Sequence, residues 1–176
     1  MIKYNNNTIN KLATDATVNK MYYSGNVAYI APPLVEPSYK ATIITTAGDV
    51  LHVSDNGSSV LTKAEITAVT SDTAVAQIIV GGIVTEIGER CIYKFTALKV
   101  LDLPSTLTEI GNQSIYYDRA LTAIYCRAIT PPNDKNENNF YNTNNCPIYV
   151  PSESVNAYKA ASGWRSFTSR IQAIPT

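Results

Sequence analysis

Hydrophobic and polar positions recur at a fixed interval in the middle of this chain. The segment 84–106, VTEIGERCIYKFTALKVLDLPST, aligns without gaps with 107–129, LTEIGNQSIYYDRALTAIYCRAI. The alignment places Ile87 over Ile110 and Tyr93 over Tyr116, an interval of 23 residues. Repetition at a fixed period of this length is typical of proteins that stack one structural unit on the next.

Two further copies extend the repeat. Segment 72–84 aligns with 95–107 one interval earlier, and one inserted residue brings CPIYVP, 146–151, into line. Each copy reads L-x-x-L-x-L followed by a glycine and more widely spaced apolar residues, which is typical of a leucine-rich repeat. The pattern predicts that Leu101 and Leu103 point inward from a short parallel strand.

The predicted fold is therefore α/β but mostly β: a short leucine-rich-repeat solenoid of about four coils with a period of 23 residues. A stacked array must cover its open ends, so an N-terminal β-hairpin cap and a C-terminal helical cap are expected. The predicted domains are an N-terminal docking arm at 1–37, a hairpin with a short helix at 38–66, the coils at 67–151, and a cap helix with its tail at 152–176.

The cap elements have local signals. Alternating apolar residues on both sides of Gly48 and Asp49 predict a hairpin. Thr62 and Glu65 have the spacing of a capping box, which predicts the start of a short helix. Ser152 is the expected N-cap of the C-terminal helix, and the glycine at 163 is its expected stop.

Residues 1–37 differ from the rest in composition. The segment is rich in asparagine, NNN at 5–7 and SGN at 24–26 predict turn tips, and the prolines that follow predict a stiff exit. Two very small hairpins bury little apolar area, so we expect this arm to dock onto another protein. The predicted docking residues are Ile2, Tyr4, Met21, Tyr22, Tyr23, Val27 and Tyr29.

A second set of candidate contact residues lies on the predicted strands. Positions next to the inward leucines should project onto an open face, because side chains alternate along a strand. Tyrosines there offer rigid contact area and a hydroxyl group, although aromatic residues also favour strands for structural reasons alone. The predicted ligand-binding residues are Gln77, Ile79, Val100, Asp102, Ala123, Tyr125 and Tyr149.

Composition narrows the function classes. Fourteen basic and fourteen acidic side chains leave no net charge, so the long-range field that attracts a protein to nucleic acid or anionic lipid is missing. No apolar run is long enough for a secretory signal or a membrane span. We therefore predict no nucleic-acid partner and no membrane insertion.

No catalytic, cofactor or metal site is predicted. The only histidine, His52, alternates with apolar residues in a predicted strand, and no nucleophile with a base can be identified. Gly81 and Gly82 lack the strand and helix context of a phosphate loop. Three cysteines without C-x-x-C spacing are expected to be buried free thiols, although one disulfide stays possible outside a cell.

Residues 60–174 resemble the BspA-like leucine-rich-repeat family of surface proteins from gut anaerobes and their phages. The resemblance rests on VTEIGERCIYKFTALKVLDLP, on LTEIGNQSIYYDRALTAIYCR and on the ending TPPNDKNENNFYNTNNCPIYVPSESVNAYKAASGWRSFTSRIQAI. One departure is Asp118, which stands where the repeat usually has a buried residue. A carboxyl there must turn to water or accept a hydrogen bond from the backbone.

The resemblance implies adhesion and recognition without catalysis or a cofactor. We expect a non-enzymatic bacteriophage virion-associated structural or decoration protein, present as an oligomer on the particle, with the repeat face binding a protein or glycan. The missing export signal and a weak similarity of INKLATDATVNKMYYSGNVAYI to N-terminal modules of phage virion proteins favour this expectation. The alternative is a bacterial cell-surface or secreted adhesin of the same type.

Overall fold

The computed structural model describes residues 2–4, 7–9, 21–24 and 27–30 at the level of the backbone, and residues 38–134 and 139–175 with their side chains. The chain divides into two compact units, Met1–Pro37 and Ser38–Thr176. Each unit is considered by itself below.

The first unit contains two antiparallel strand pairs. β1 (Ile2–Tyr4) pairs with β2 (Asn7–Ile9), and β3 (Met21–Ser24) pairs with β4 (Val27–Ile30). The side chains of the predicted docking residues lie outside the described part of the structure, so docking through this arm stays a prediction.

The second unit is built mainly from short strands. Its helices are α1 (Lys63–Val69) and α2 (Val155–Ala160), with single 3₁₀ turns at Ser152–Ser154 and Arg165–Phe167. Its strands are β5 (Tyr39–Thr45), β6 (Val50–Ser54), β7 (Val60–Leu61), β8 (Val75–Val80), β9 (Glu86–Ile87), β10 (Ile92–Tyr93), β11 (Val100–Leu103), β12 (Glu109–Ile110), β13 (Ile115–Tyr116), β14 (Ala123–Cys126), β15 (Asn133–Asp134), β16 (Ile148–Val150) and β17 (Ile171–Ala173).

These strands form three separate sheets. The largest has seven strands in the order β17-β16-β14-β11-β8-β5-β6, and it is mixed because β5 runs antiparallel to both β6 and β8. A four-stranded sheet has the order β15-β12-β9-β7, and β10 pairs with β13 in a third. Each of the two complete repeats contributes one strand to each sheet in turn.

The predicted fold class is wrong. The unit is mostly β, with a seven-stranded mixed sheet, sheets that are not closed, and two helices of only seven and six residues, and no solenoid is indicated. The hairpin expected as a separate cap instead belongs to the main sheet, because Ile43 of β5 pairs with Ile78 of β8. At the other end, β17 adds a further strand to this sheet beside β16.

The 23-residue interval nevertheless determines which residues lie opposite each other. Leu101 of β11 pairs with Ile78 of β8 on one side and with Ile124 of β14 on the other. These three side chains are fully buried. Since side chains alternate across a strand, their sequence neighbours all face away from the core.

The core lies between the sheets and is mostly apolar, although it also holds buried polar side chains such as Lys40, Asp118 and Arg170. It continues into an aromatic cluster near the C-terminus, where Tyr158 meets Trp164 edge-on with ring centroids 4.7 Å apart. The Trp164 indole donates to the carbonyl of Pro132 at 2.9 Å, so this buried polar group is satisfied. The predicted free thiols are confirmed, because all three cysteines are unpaired and buried: Cys91, Cys126 and Cys146.

Of the two predicted helix caps, one is confirmed and the other is wrong. Thr62 accepts from the backbone of Glu65, while the Glu65 carboxylate accepts from the backbone of Thr62. The expected N-cap at Ser152 is wrong, because Ser152 is already inside a 3₁₀ turn that follows Pro151. The residue before α2 is Ser154, whose hydroxyl donates to the carbonyl of Ile129 at 2.7 Å instead of capping the helix.

Candidate functional site

The predicted ligand-binding residues lie together on the seven-stranded sheet, and we call them the sheet face. They form two rows across neighbouring strands. One row follows the pairings of Ile79, Asp102, Tyr125 and Tyr149, and the other those of Gln77, Val100 and Ala123. Every one of them is at least partly exposed, so the structure brings these residues into one continuous surface.

Aromatic stacking fixes one end of the sheet face. The rings of Tyr125 and Tyr149 are stacked with centroids 5.0 Å apart and an angle of 25° between their planes. The Arg127 guanidinium lies 5.8 Å from the Tyr125 ring centroid and donates two hydrogen bonds of 2.7 Å to the Asp102 carboxylate. The hydrogen bonds with Asp102 raise the pKa of Arg127. This end of the face is therefore aromatic and locally neutral.

A second aromatic surface was not predicted. Tyr93, Tyr116, Tyr117 and Tyr141 form a continuous group, which we call the tyrosine ladder. Tyr116 stacks with Tyr93 on one side and with Tyr141 on the other, and both centroid distances are 6.1 Å. Tyr117 meets the Tyr116 ring edge-on at 4.7 Å. Such pairs add stability beyond the area they bury.

The repeat positions the ladder. Ile92 and Tyr93 of β10 pair in parallel with Ile115 and Tyr116 of β13, so equal positions of two repeats lie side by side. The amide of Tyr117 then donates to the carbonyl of Tyr141 at 3.2 Å, which attaches the next segment of chain. The positions of these tyrosine rings are therefore set by backbone hydrogen bonds between successive segments of the chain.

Left-handed backbone turns follow the ladder strands. Lys94 and Tyr117 have φ values of 61° and 63°, and Arg90 and Gln113, at the preceding corner, have 50° and 51°. Non-glycine residues adopt this conformation rarely and at some cost. The equal values at equivalent positions show that the same turn recurs in both repeats.

The carboxyl of Asp118 is buried immediately after the second of these turns. Its Oδ1 accepts a hydrogen bond of 2.7 Å from the Phe95 amide, and its Oδ2 has no partner within the described part of the chain. Burial raises the pKa of Asp118 to about 8, against the opposing effects of the Phe95 amide and the Lys63 charge. Of the two arrangements expected for this residue, the hydrogen bond to the backbone is the one observed.

Four cations surround the ladder. The charged groups of Lys94 and Arg119 lie 5.1 Å and 5.3 Å from the ring centroids of Tyr93 and Tyr117. Arg90 lies 6.0 Å from the Tyr93 centroid, and Lys63 lies at 5.9 Å but also forms an ion pair of 3.0 Å with Asp72. Within the described residues, Lys94, Arg90 and Arg119 form no salt bridge, so their charge is available to a ligand.

A cavity of about 570 Å³ adjoins the end of the ladder. Its lining includes Tyr141 and Arg119 from the ladder and its cations, together with Asn142 and Asn145 and the buried Arg170. Arg170 donates to the carbonyls of Phe140 and Cys146 at 2.9 Å and 2.8 Å, so it fixes the wall of the cavity. The lining residues are polar, aromatic or cationic, and none is acidic.

The raised pKa of Tyr116 keeps its hydroxyl group protonated and able to donate a hydrogen bond. Loss of solvent raises the pKa of Tyr116, and the neighbouring Tyr117, Tyr141 and Tyr93 raise it further. Tyr116 is therefore a neutral phenol at physiological pH that donates as well as accepts hydrogen bonds.

The residues considered for catalysis do not come together as a site. The ring of His52 stacks on Tyr39 at 4.0 Å, and its Nδ1 lies 3.2 Å from the Thr42 hydroxyl, at the antiparallel edge of the main sheet. Among residues whose placement is described, no group of three His, Cys, Asp or Glu side chains is arranged to hold a metal ion. In the same part of the chain, no helix is both long and apolar enough to cross a bilayer.

The sequence carries one signal for the tyrosine ladder. Tyr93 and Tyr116 are identical at the 23-residue interval, but their neighbours Ile92 and Ile115 suggested only a buried segment. Tyr141 lies 25 residues after Tyr116, so it did not align by sequence alone.

The chain matches no protein-family model and no curated protein.

Proposed function

We propose that this chain is a non-enzymatic recognition protein that binds a protein or glycan ligand through the sheet face. The observation that carries the proposal is the stacked pair Tyr125 and Tyr149 within a partly exposed row that runs across the strands in register. Aromatic residues held on a firm support are the usual anchors of binding surfaces.

The support beneath the sheet face favours this use. The residues that alternate with the two tyrosines, Ile124 and Ile148, are fully buried in the core. The backbone of these strands is fixed on both sides by hydrogen bonds, so little conformational freedom is left to lose on binding. Asp102 and Arg127 add a paired donor and acceptor at the rim.

The setting we propose is a bacteriophage virion, with residues 1–37 attaching the protein to the particle. This part of the proposal is supported by the resemblance described above and by the division of the chain at Pro37. Mass spectrometry of purified particles and of host cell-envelope fractions tests it. Detection in the envelope fraction alone would favour the bacterial adhesin instead.

The binding role is tested by the double variant Tyr125→Ala/Tyr149→Ala. Labelled full-length protein is applied to an array of bacterial envelope glycans and to immobilised proteins of the host envelope and the particle, and the strongest interaction is then titrated. We expect the double variant to bind at least about tenfold more weakly, which is typical when two central aromatic contacts are lost. Thermal stability should stay close to that of the parent, because both side chains are partly exposed.

Tyr39→Ala is the matched control, since it removes one partly exposed tyrosine, stacked on His52, that belongs neither to the sheet face nor to the tyrosine ladder. Two results would contradict the proposal: unchanged binding by the double variant, or a large fall in melting temperature with binding intact. The second result would mean that Tyr125 and Tyr149 serve mainly to stabilise the sheet. Absence of any interaction on both arrays would also count against a recognition role.

A further inference from the structure

We propose that the tyrosine ladder and the adjoining cavity form a binding site for an anionic polysaccharide. This site is separate from the sheet face, and its test does not depend on the function proposed above. The two surfaces share no residue.

The ladder offers the apolar half of such a site. Tyr141 is 55% exposed, and Tyr93, Tyr116 and Tyr117 are each partly exposed, although their rings contact one another. Sugar rings present C–H groups that pack on aromatic carbon and hydroxyl groups that match phenolic oxygens. A surface that combines both properties is what tyrosine provides.

The cations supply the charged half. Lys94, Arg90 and Arg119 lie beside the rings and form no salt bridge among the described residues. Nearby, Asp118 does not oppose them at neutral pH, since its raised pKa of about 8 leaves it mostly protonated. The ladder is therefore a local positive surface on a chain with no net charge, which selects a ligand that carries carboxylate, sulfate or phosphate groups.

The cavity supplies an end to the site. Its volume of about 570 Å³ is within the usual range of small-molecule pockets. Arg119 borders both the ladder and the cavity, so a bound chain can continue from one to the other with its charged groups near this guanidinium. The side chains of Asn142 and Asn145 make no hydrogen bond within the described part of the chain and face this space.

Ring geometry argues against single-stranded nucleic acid. Proteins that bind single strands present aromatic faces on which successive bases stack, together with a basic groove that follows the backbone. Here Tyr116 is stacked between Tyr93 and Tyr141 and is also contacted by Tyr117. No gap is left for a base between these rings, and a sugar ring would instead pack against the exposed parts of the rings and their hydroxyl groups. An acidic peptide would use the cations but would gain little from four adjacent phenols.

The experiment measures binding of the full-length chain to five fluorescent probes by anisotropy. Two are anionic oligosaccharides, a sulfated heparin fragment and a carboxylated oligogalacturonate. The other three are a neutral maltooligosaccharide, a poly-glutamate peptide and an oligothymidylate of similar length. We expect both anionic oligosaccharides to bind, and the neutral one to bind at least tenfold more weakly. Raising the salt from about 0.05 M to about 0.5 M should weaken binding, because exposed charges are screened.

Two variants and two matched controls assign the site. Tyr141→Ala and Arg119→Gln should each weaken binding of the anionic oligosaccharides, by about tenfold and about fivefold respectively. Tyr39→Ala removes a tyrosine, and Lys99→Gln a positive charge, and both residues lie outside the ladder, the cavity lining and the sheet face, so both variants should bind like the parent. Tyr141, Arg119 and Lys99 are exposed, so these substitutions should not prevent folding.

Three results would overturn the proposal. One is failure of both anionic oligosaccharides to bind. Another is binding that Tyr141→Ala and Arg119→Gln leave unchanged. The last is equal or tighter binding of poly-glutamate or oligothymidylate, which would assign the surface to a peptide or a nucleic acid. Because Tyr125→Ala/Tyr149→Ala leaves the ladder intact, the sheet face can fail its own test without affecting this one.

Discussion

Replacing Asp118 by asparagine should remove a pH dependence of stability that the parent protein has. The carboxyl of Asp118 is fully buried, and only its Oδ1 has a hydrogen-bond partner among the described residues, the amide of Phe95. Asparagine keeps a carbonyl oxygen for that amide and carries no charge at any pH. Its NH₂ group would occupy the place of Oδ2, which has no described partner in the parent either.

The magnitude follows from the pKa. In the folded protein, burial raises the pKa of Asp118 from 3.8 to about 8. Between these values the folded state holds a proton that the unfolded state has lost, so the folded state is favoured at the acidic end. This advantage decreases as the pH rises toward 8. From about pH 5 to about pH 8, the free energy of unfolding should fall by about 3.5 kcal/mol on account of this group.

The assay is urea unfolding of the parent and of Asp118→Asn at about pH 5, 6.5 and 8, followed by fluorescence. The chain has one tryptophan, Trp164, which is fully buried and therefore reports unfolding. Other groups titrate equally in both proteins, so the difference between the two curves isolates Asp118. We expect the variant to become more stable relative to the parent as the pH rises. Parallel curves would refute the reasoning and show that the carboxyl reaches solvent.

Two other stability predictions follow from buried contacts. Glu65→Gln should destabilise the folded protein by about 3 kcal/mol, because the buried Lys40 ammonium loses the carboxylate that lies 2.6 Å away and the cap of α1 is weakened. Adding Lys40→Met should restore part of this loss. No recovery in urea unfolding would contradict the coupling between the two residues. Gly111→Ala should cost about 2 kcal/mol, because a Cβ there would lie 2.8 Å from the Glu89 nitrogen and 2.9 Å from the Ile87 oxygen. Gly82→Ala, which meets nothing within 4 Å, is its control and should be nearly neutral; equal melting temperatures would show that the backbone at 111 can shift.

The register among the parallel strands of the repeat could be predicted from the sequence, because it follows the 23-residue interval. An interval of 23 residues predicted which apolar positions lie together, and Leu101 does lie between Ile78 and Ile124. The overall architecture needed more than periodicity. Whether the 39–54 hairpin covers an end or joins the sheet depends on pairing between Ile43 and Ile78, and alternating apolar residues are compatible with both arrangements.

One of the two candidate sites could be predicted from the sequence and the other could not. Alternation along the strands predicted the outward direction of Tyr125 and Tyr149, and both are partly exposed in adjacent strands. The tyrosine ladder could not be predicted in this way. Tyr117 and Tyr141 lie outside the strands, in two separate turns where Tyr117, Asn142 and Asn144 have positive φ values. Sequence pattern gives no warning of that conformation in a tyrosine, since it is uncommon for bulky residues.

The two aromatic surfaces differ in a way that bears on the ligands we propose for them. Along the sheet face, equivalent positions carry an isoleucine, an aspartate and two tyrosines, so each step presents a different group. Along the ladder, Tyr93, Tyr116 and Tyr141 repeat the same group at 6.1 Å steps. A uniform row suits a polymer with one repeating unit, since each unit meets the same contact. A varied row suits a partner whose own surface varies, such as a folded protein. The repeat therefore sets the spacing of both surfaces, and the residues placed on it are the reason why we propose a different class of ligand for each one.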